Sequence, residues 1–289
     1  MLVFVLFLFS VQLITAEVIN DDKCGKNKFL EPKDQQITTR IAGGQISAGL
    51  GAWPWACSLG TGNKKTWDHR CGATLITPKH VLTAAHCLAF SGSKRKPLKI
   101  RCGDFNLKSD TDNMKVQIRS FSDYKSHEKY EIRKAHFDIA ILNTQTPFNM
   151  NTFVRTICLQ APMLVDKEGT VIVVGWGLDE TYDETKIGHE LKQTTMQTLN
   201  PKICDKNVSK QKILTEFGAD LFCAIDPLYT RSGTLNGDSG GPVFTLNLST
   251  KRYELKGIVN DGVIREPDYN TRTSFPEIHS WIVKNIKGK

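Results

Sequence analysis

The stretch Asn236-Gly237-Asp238-Ser239-Gly240-Gly241-Pro242 sets one serine at the centre of a glycine-rich turn. Glycines on both sides free the backbone to adopt φ > 0. That freedom lets main-chain N–H groups converge on one point, as stabilisation of an oxyanion requires. A serine hydroxyl alone is a weak nucleophile and needs a base, together with a group that orients the base. His86, in Thr83-Ala84-Ala85-His86-Cys87, is the candidate base, and the adjoining cysteine could tether its loop covalently. Taken alone, such a histidine reads more readily as structural. Asp138, which opens the apolar run Ile139-Ala140-Ile141-Leu142, is the candidate orienter. Taken alone, it reads as a turn cap. Buried beside an imidazole, it would fix the ring tautomer and stabilise the imidazolium formed during attack.

The elements that would position these residues are mostly strands. Short β-like runs recur at 71–76, 98–102, 139–142, 170–174 and 254–259, with Gly, Pro, Asn and Asp between them. That pattern predicts an all-β sandwich or barrel. Only the end of the chain is helical in pattern. Phe275, Ile278, Ile282 and Ile286 recur at three or four residues, with Pro276 in the first turn.

The 289 residues are 40% hydrophobic and 24% charged, an ordinary balance for a globular chain. The length suits one large all-β domain or two smaller ones. A net charge of +8 is spread along the chain and reads as a solvated basic surface rather than a polyanion site. No nucleic-acid module is visible, so neither DNA nor RNA is an expected partner. Residues 1–16 begin with an uninterrupted apolar run from Leu2 to Phe9, too short for a membrane span, and read as a signal peptide cut after Ala16. No second stretch could cross a bilayer, and no membrane partner is expected.

Eight cysteines in an exported chain predict up to four disulfides, whose pairing the spacing leaves open. None has zinc-site spacing, and no metal or cofactor is expected. Asn207 and Asn247 open N-glycosylation sequons. Residues 17–40 are polar, a tail or linker ending at Arg40, which Ile41-Ala42-Gly43-Gly44 follows abruptly. That junction reads either as a simple loop or as a protease cut that makes Ile41 a new N-terminus.

Together, Ile41-Ala-Gly-Gly44, Thr83-Ala-Ala-His-Cys87, Asp138-Ile-Ala-Ile-Leu142, Gly175-Trp-Gly177, Gly237-Asp-Ser-Gly-Gly-Pro242 and Trp281-Ile282 resemble the chymotrypsin-like (trypsin-fold) serine protease family. The resemblance covers residues 41–289. It implies two six-stranded antiparallel β-barrels with the site in the cleft between them, then a C-terminal α-helix. It implies His86 as general base and acid, Asp138 as its orienter and Ser239 as nucleophile. The N–H groups of Gly237 and Ser239 would form the oxyanion hole. Residues 17–40 would be an activation segment. Cleavage behind Arg40 would free the ammonium of Ile41 to pair with Asp238. Implied disulfides are Cys71–Cys87, Cys204–Cys223, Cys24–Cys158 and Cys57–Cys102. Implied partners are polypeptide substrates, an activating protease and protein protease inhibitors. Asp104, Asp110 and Asp112 lie in the region of the family's calcium loop without its spacing, and read as loop acids.

The substrate pocket departs from the family pattern. Gly233 stands at the expected pocket floor, where trypsin-like members carry aspartate, so the expectation is an uncharged residue before the scissile bond. An acid such as Asp261, Glu266 or Asp268 would instead restore a preference for basic residues. Leu235 replaces a usual cysteine, and Asn260-Asp261-Gly262 replaces Ser-Trp-Gly in the substrate-binding strand. Two readings follow: a secreted serine endopeptidase made as a zymogen, or a weak or inert homologue that acts as a binding or regulatory protein in a proteolytic cascade.

Overall fold

A computed structural model describes residues 19–27, 50–89, 97–109, 115–131, 136–178, 189–205, 217–227, 233–261 and 267–287. Arg40, Ile41, Asp110, Asp112, Asn207, Gly262 and Glu266 lie outside the described residues, as do residues 1–18.

The fold is all-β apart from short helical pieces and the C-terminal helix. The first sheet contains β1 (Ala56–Gly62), β2 (Trp67–Leu75), β3 (His80–Thr83), β4 (Lys99–Cys102), β5 (Gln117–Arg119), β6 (Phe121–Ser126) and β7 (Ala140–Thr144). Its order is β5-β4-β1-β2-β3-β7-β6. Only Ser120 separates β5, which borders β4, from β6, which borders β7. One bent strand therefore joins both edges and curls the sheet toward a ring. The second sheet contains β8 (Cys158–Leu159), β9 (Thr170–Gly175), β10 (Lys192–Thr198), β11 (Leu221–Ile225), β12 (Pro242–Asn247), β13 (Arg252–Asp261) and β14 (Asp268–Arg272). Its order is β12-β9-β10-β11-β14-β13-β8, and a further pairing of β12 with β13 closes six of these strands into a barrel. Closure removes exposed edges.

Period-two alternation explains how one strand serves two cores. In β9, Val171 and Val173 face the interior of the second barrel, whereas Ile172 and Val174 join the cluster between the barrels. Around β7, Ala140 and Leu142 fill the first barrel while Ile139 and Ile141 face the shared cluster. Trp53, Trp55, Phe244 and Tyr253 stand at the centre of that cluster, with ring centroids 4.9–5.8 Å apart in tilted or edge-on pairs. The C-terminal helix, Pro276–Lys287, closes the cluster with Ile278, Trp281, Ile282 and Ile286. Proline at its first position lacks an N–H that would have no helical partner there.

Four disulfides staple the frame: Cys24–Cys158, Cys57–Cys102, Cys71–Cys87 and Cys204–Cys223. These are the pairings that the family resemblance implies. Cys24–Cys158 ties the N-terminal segment to β8, beside which Gly25 exchanges backbone hydrogen bonds with Thr156 and Tyr253. Among the described residues, no helix is long and apolar enough to cross a membrane.

Candidate active site

The structure pairs the side chains of His86 and Asp138, and it sets the Ser239 carbonyl 3.7 Å from Sγ of Cys87, the residue after His86. β3 ends at Thr83, and buried Ala84 and Ala85 lead into the short helix His86–Ala89. Cys87 ties that helix to Cys71 of β2. Asp138 sits at 1% exposure just before β7, and its carboxylate holds His86 at two points. Oδ1 accepts the His86 backbone N–H at 2.9 Å, and Oδ2 lies 2.5 Å from Nδ1. A carboxylate can only accept here, so Nδ1 carries the proton and Nε2 keeps its lone pair free to act as a base. Burial alone would lower the His86 pKa. The hydrogen bond and charge of Asp138, joined by the charge of Asp261, outweigh burial and hold it above the ordinary histidine value.

The turn before Asp138 is strained and clamped. Phe137 has φ of 50°, a left-handed conformation that a bulky side chain rarely adopts. Asp220 of the second barrel accepts its N–H through Oδ2 at 2.7 Å, and Oδ1 lies 2.9 Å from His136 Nδ1. Phe137 also stacks on His127, with centroids 4.6 Å apart. From the other side, the Thr271 hydroxyl donates to the Asp138 carbonyl at 3.1 Å. Sequence reasoning missed Asp220, because nothing in Phe217-Gly-Ala-Asp220 marks it out from a loop acid.

Each peptide plane of the serine turn is pinned. The Asn236 carbonyl accepts from Leu178 N–H at 2.9 Å, so the Gly237 N–H, across a trans peptide, points the opposite way. The Asp238 carbonyl accepts from Gly241 N–H at 2.9 Å, which fixes the Ser239 N–H in the same manner. Neither the Gly237 nor the Ser239 N–H is engaged by another described residue. This arrangement can bind an oxyanion. Gly237 adopts φ of 102°, which a side chain would oppose. At Gly240, a Cβ would lie 2.3 Å from Thr83 Oγ1 and 2.6 Å from the Gly72 carbonyl. The turn can therefore press against the first barrel, where Gly72 N–H donates to the Ser239 carbonyl at 2.8 Å. The Ser239 hydroxyl donates to the Asn260 carbonyl at 3.4 Å.

A second histidine, unmarked in the sequence reading, fixes the remaining plane. His69 Nε2 meets the Gly237 carbonyl at 2.9 Å, and a carbonyl can only accept, so Nε2 carries the proton. Nδ1 must then accept, and it lies 2.6 Å from the Ser58 hydroxyl, which itself accepts from Trp67 Nε1–H at 2.8 Å. The relay Trp67 to Ser58 to His69 to Gly237 demands a neutral ring, and burial lowers the His69 pKa to about 4. The signal lies in strand register: Leu59 pairs with Cys71 and Gly60 with His69, so Arg70 is an extra residue that breaks the alternation of β2.

Asp238 points away from this surface and is fully buried. Its carboxylate accepts the N–H groups of Gly177 at 2.8 Å and Leu235 at 3.0 Å. Burial nevertheless pushes its pKa up to about 6 against those two hydrogen bonds. Among the described residues, no cationic group lies within ion-pair distance of it. Asn260 is buried and its Nδ2 lies 3.4 Å from Thr271 Oγ1, while Asp261 is exposed.

A family model described as Trypsin matches residues 42–282. The chain belongs to the trypsin family. Among relatives of this trypsin-family chain, Limulus clotting factor C of Carcinoscorpius rotundicauda is 30% identical over 254 residues, covering 82% of this chain and 24% of that protein. The chain thus spans about a quarter of the length of that relative. Chymotrypsin-C of Rattus norvegicus is 27% identical over 285 residues, covering 95% of this chain and 98% of the relative. A venom protease of Bombus pensylvanicus is 30% identical over 230 residues, covering 77% and 88% respectively. The trypsin-family assignment agrees with the closed six-stranded barrel, the C-terminal helix and the four disulfides, while the first sheet is a half-barrel rather than the second closed barrel expected.

Proposed function

We propose that this trypsin-family chain is a secreted serine endopeptidase, made as a zymogen and activated by cleavage between Arg40 and Ile41. The observation that carries the reading is the Asp138–His86 pair, with Nδ1 held at 2.5 Å so that Nε2 is the free base. Ser239 Oγ adds to the carbon of a scissile carbonyl while its proton passes to His86 Nε2. The resulting oxyanion takes hydrogen bonds from the N–H groups of Gly237 and Ser239. As the tetrahedral adduct collapses, the C–N bond breaks and the departing amine takes the proton from His86, leaving an acyl ester on Ser239. Water then repeats the sequence, with His86 again taking and returning one proton, to release the acid and restore the serine.

Activation follows from Asp238. Its buried carboxylate has two N–H partners but no described cation, and an unpaired buried charge is costly by several kcal/mol. The ammonium of a newly freed Ile41 would pair with it and hold the Asp238–Ser239 peptide in place. The apolar run at Leu2–Phe9 and the disulfide framework support export through an oxidising compartment. The sequons at Asn207 and Asn247 are the corresponding glycan sites.

One observation favours the second reading, a weak or inert homologue with a binding role: the Ser239 hydroxyl is directed at the Asn260 carbonyl. Fluorophosphonate labelling separates the two. An active enzyme labels at Ser239 after cleavage behind Arg40, whereas a correctly cut and folded protein that stays unlabelled has the regulatory role.

A further inference from the structure

An acid, Asp268, lies beside Gly233, the residue that the family pattern places at the floor of the substrate pocket. Asp268 opens β14 and is fully buried. Its Oδ2 accepts the Thr234 N–H at 2.7 Å, while Oδ1 has no hydrogen-bond partner among the described residues. No described cationic group forms an ion pair with it. A Cβ built on Gly233 would lie 3.3 Å from Oδ1 and 3.7 Å from Oδ2, so the carboxyl faces the space left by the missing Gly233 side chain. Register fixes this placement, because β14 is held on β11 by the Ala224–Asp268 pair and on β13 by the Asp261–Tyr269 pair.

A buried carboxyl oxygen without a partner is expensive and calls for a ligand of opposite chemistry. The neighbouring acids cannot take the same role. Asp238 spends both oxygens on Gly177 and Leu235, and Asp261 is exposed and acts on His86. Burial, against hydrogen bonding from the Thr234 backbone and side chain and reinforced by the charges of Asp238 and Asp261, raises the Asp268 carboxyl well above the ordinary range. A cation arriving at Oδ1 would relieve that penalty and allow the carboxyl to ionise.

We propose that Asp268, through Oδ1 beside Gly233, binds the side-chain cation of the substrate residue preceding the scissile bond, so that the site selects arginine or lysine. This rests on the reading of Ser239 as the nucleophile beside that pocket. It reverses the expectation of an uncharged residue drawn from Gly233 alone. Gly233 becomes the residue that makes room, and Asp268 the one that supplies charge.

The test takes the full chain cleaved behind Arg40, with labelling by a fluorophosphonate scored first. Matched peptide substrates that differ only in the residue before the scissile bond are then ranked by kcat/KM. Arginine or lysine should exceed leucine and phenylalanine by about 100-fold, the scale set by leaving a buried charge unpaired. Asp268→Asn should collapse that ratio by a similar factor. Benzamidine should protect the unmodified cleaved protein from labelling, a readout that stands even if the variant does not fold. Labelling combined with a preference for leucine or phenylalanine, or with no protection by benzamidine, overturns the assignment of Asp268 while leaving the nucleophile reading intact. Absence of labelling overturns the nucleophile reading itself.

Discussion

His69→Phe tests how the oxyanion site is built. The substitution keeps a planar ring but removes the Nε2–H that holds the Gly237 carbonyl at 2.9 Å, and it strands the Ser58 hydroxyl that Trp67 and His69 now share. An unsatisfied buried carbonyl costs about 1–3 kcal/mol. Rotation of the Gly237–Asp238 peptide would relieve that cost; Gly237 has no side chain to resist it, and the opposing restraint is the hydrogen bond from Asp238 N–H to the Leu235 carbonyl at 2.9 Å. The rotation would disturb N–H donors worth about 3–4 kcal/mol each to the transition state. The expected outcome is a fall in kcat of about 10- to 100-fold with KM changed less than about threefold, because the lost interaction exists only in the transition state. Stability supplies an independent readout. The His69 pKa is lowered to about 4 in the fold, against an ordinary value of 6.5. Its contribution is therefore complete above pH 6.5 and lost as pH falls toward 4, about 3 kcal/mol in total. Asp238 works in the opposite direction. Its carboxyl is raised from 3.8 to about 6, so the associated stability declines as pH rises through that window. That term is common to both proteins and cancels in their difference. Urea unfolding from pH 4 to pH 7 should thus show a shallower acid decline in the variant. Unchanged kcat together with an unchanged acid slope would refute the reasoning.

Two further outcomes follow from the geometry. Asp261→Asn removes one of the charges that raise the His86 pKa, so the acid limb of the kcat/KM profile should move to lower pH; an unmoved or alkaline-shifted limb would contradict that role. Replacing both Cys57 and Cys102 by serine frees a loop with a sequence separation of 45, which should lower the unfolding free energy by about 4 kcal/mol on the chain-entropy account. A urea midpoint equal to that of the parent would count against the bridge as a stabilising staple.

The catalytic candidates were legible because their signals are local. Glycines beside Ser239, alanines before His86 and the apolar run after Asp138 each describe a turn or strand edge within a few residues. The C-terminal helix was equally plain, with its 3.6-residue pattern placing it within one residue of Pro276–Lys287. What stayed hidden depends on contacts across the barrels. Asp220 reaches Phe137 over 83 positions, and His69 reaches Gly237 over 168. No window of sequence contains either pair. The pocket shows the same limit in a sharper form. The sequence offered Asp261, Glu266 and Asp268 as possible acids; Glu266 lies outside the described residues, and the proposal of Asp268 over Asp261 needed the register of β14 against β11 and β13.

The most direct measurement is the rate of fluorophosphonate labelling of the intact chain, of the chain cleaved behind Arg40 and of a verified uncut Arg40→Gln protein, with the modified residue located by mass. Rapid modification of Ser239 in the cleaved protein alone, abolished by Ser239→Ala, is the result that the account predicts. Equal labelling of the uncut protein would contradict the activation switch. A folded, correctly cleaved protein that remains unlabelled would contradict Ser239 as an activated nucleophile.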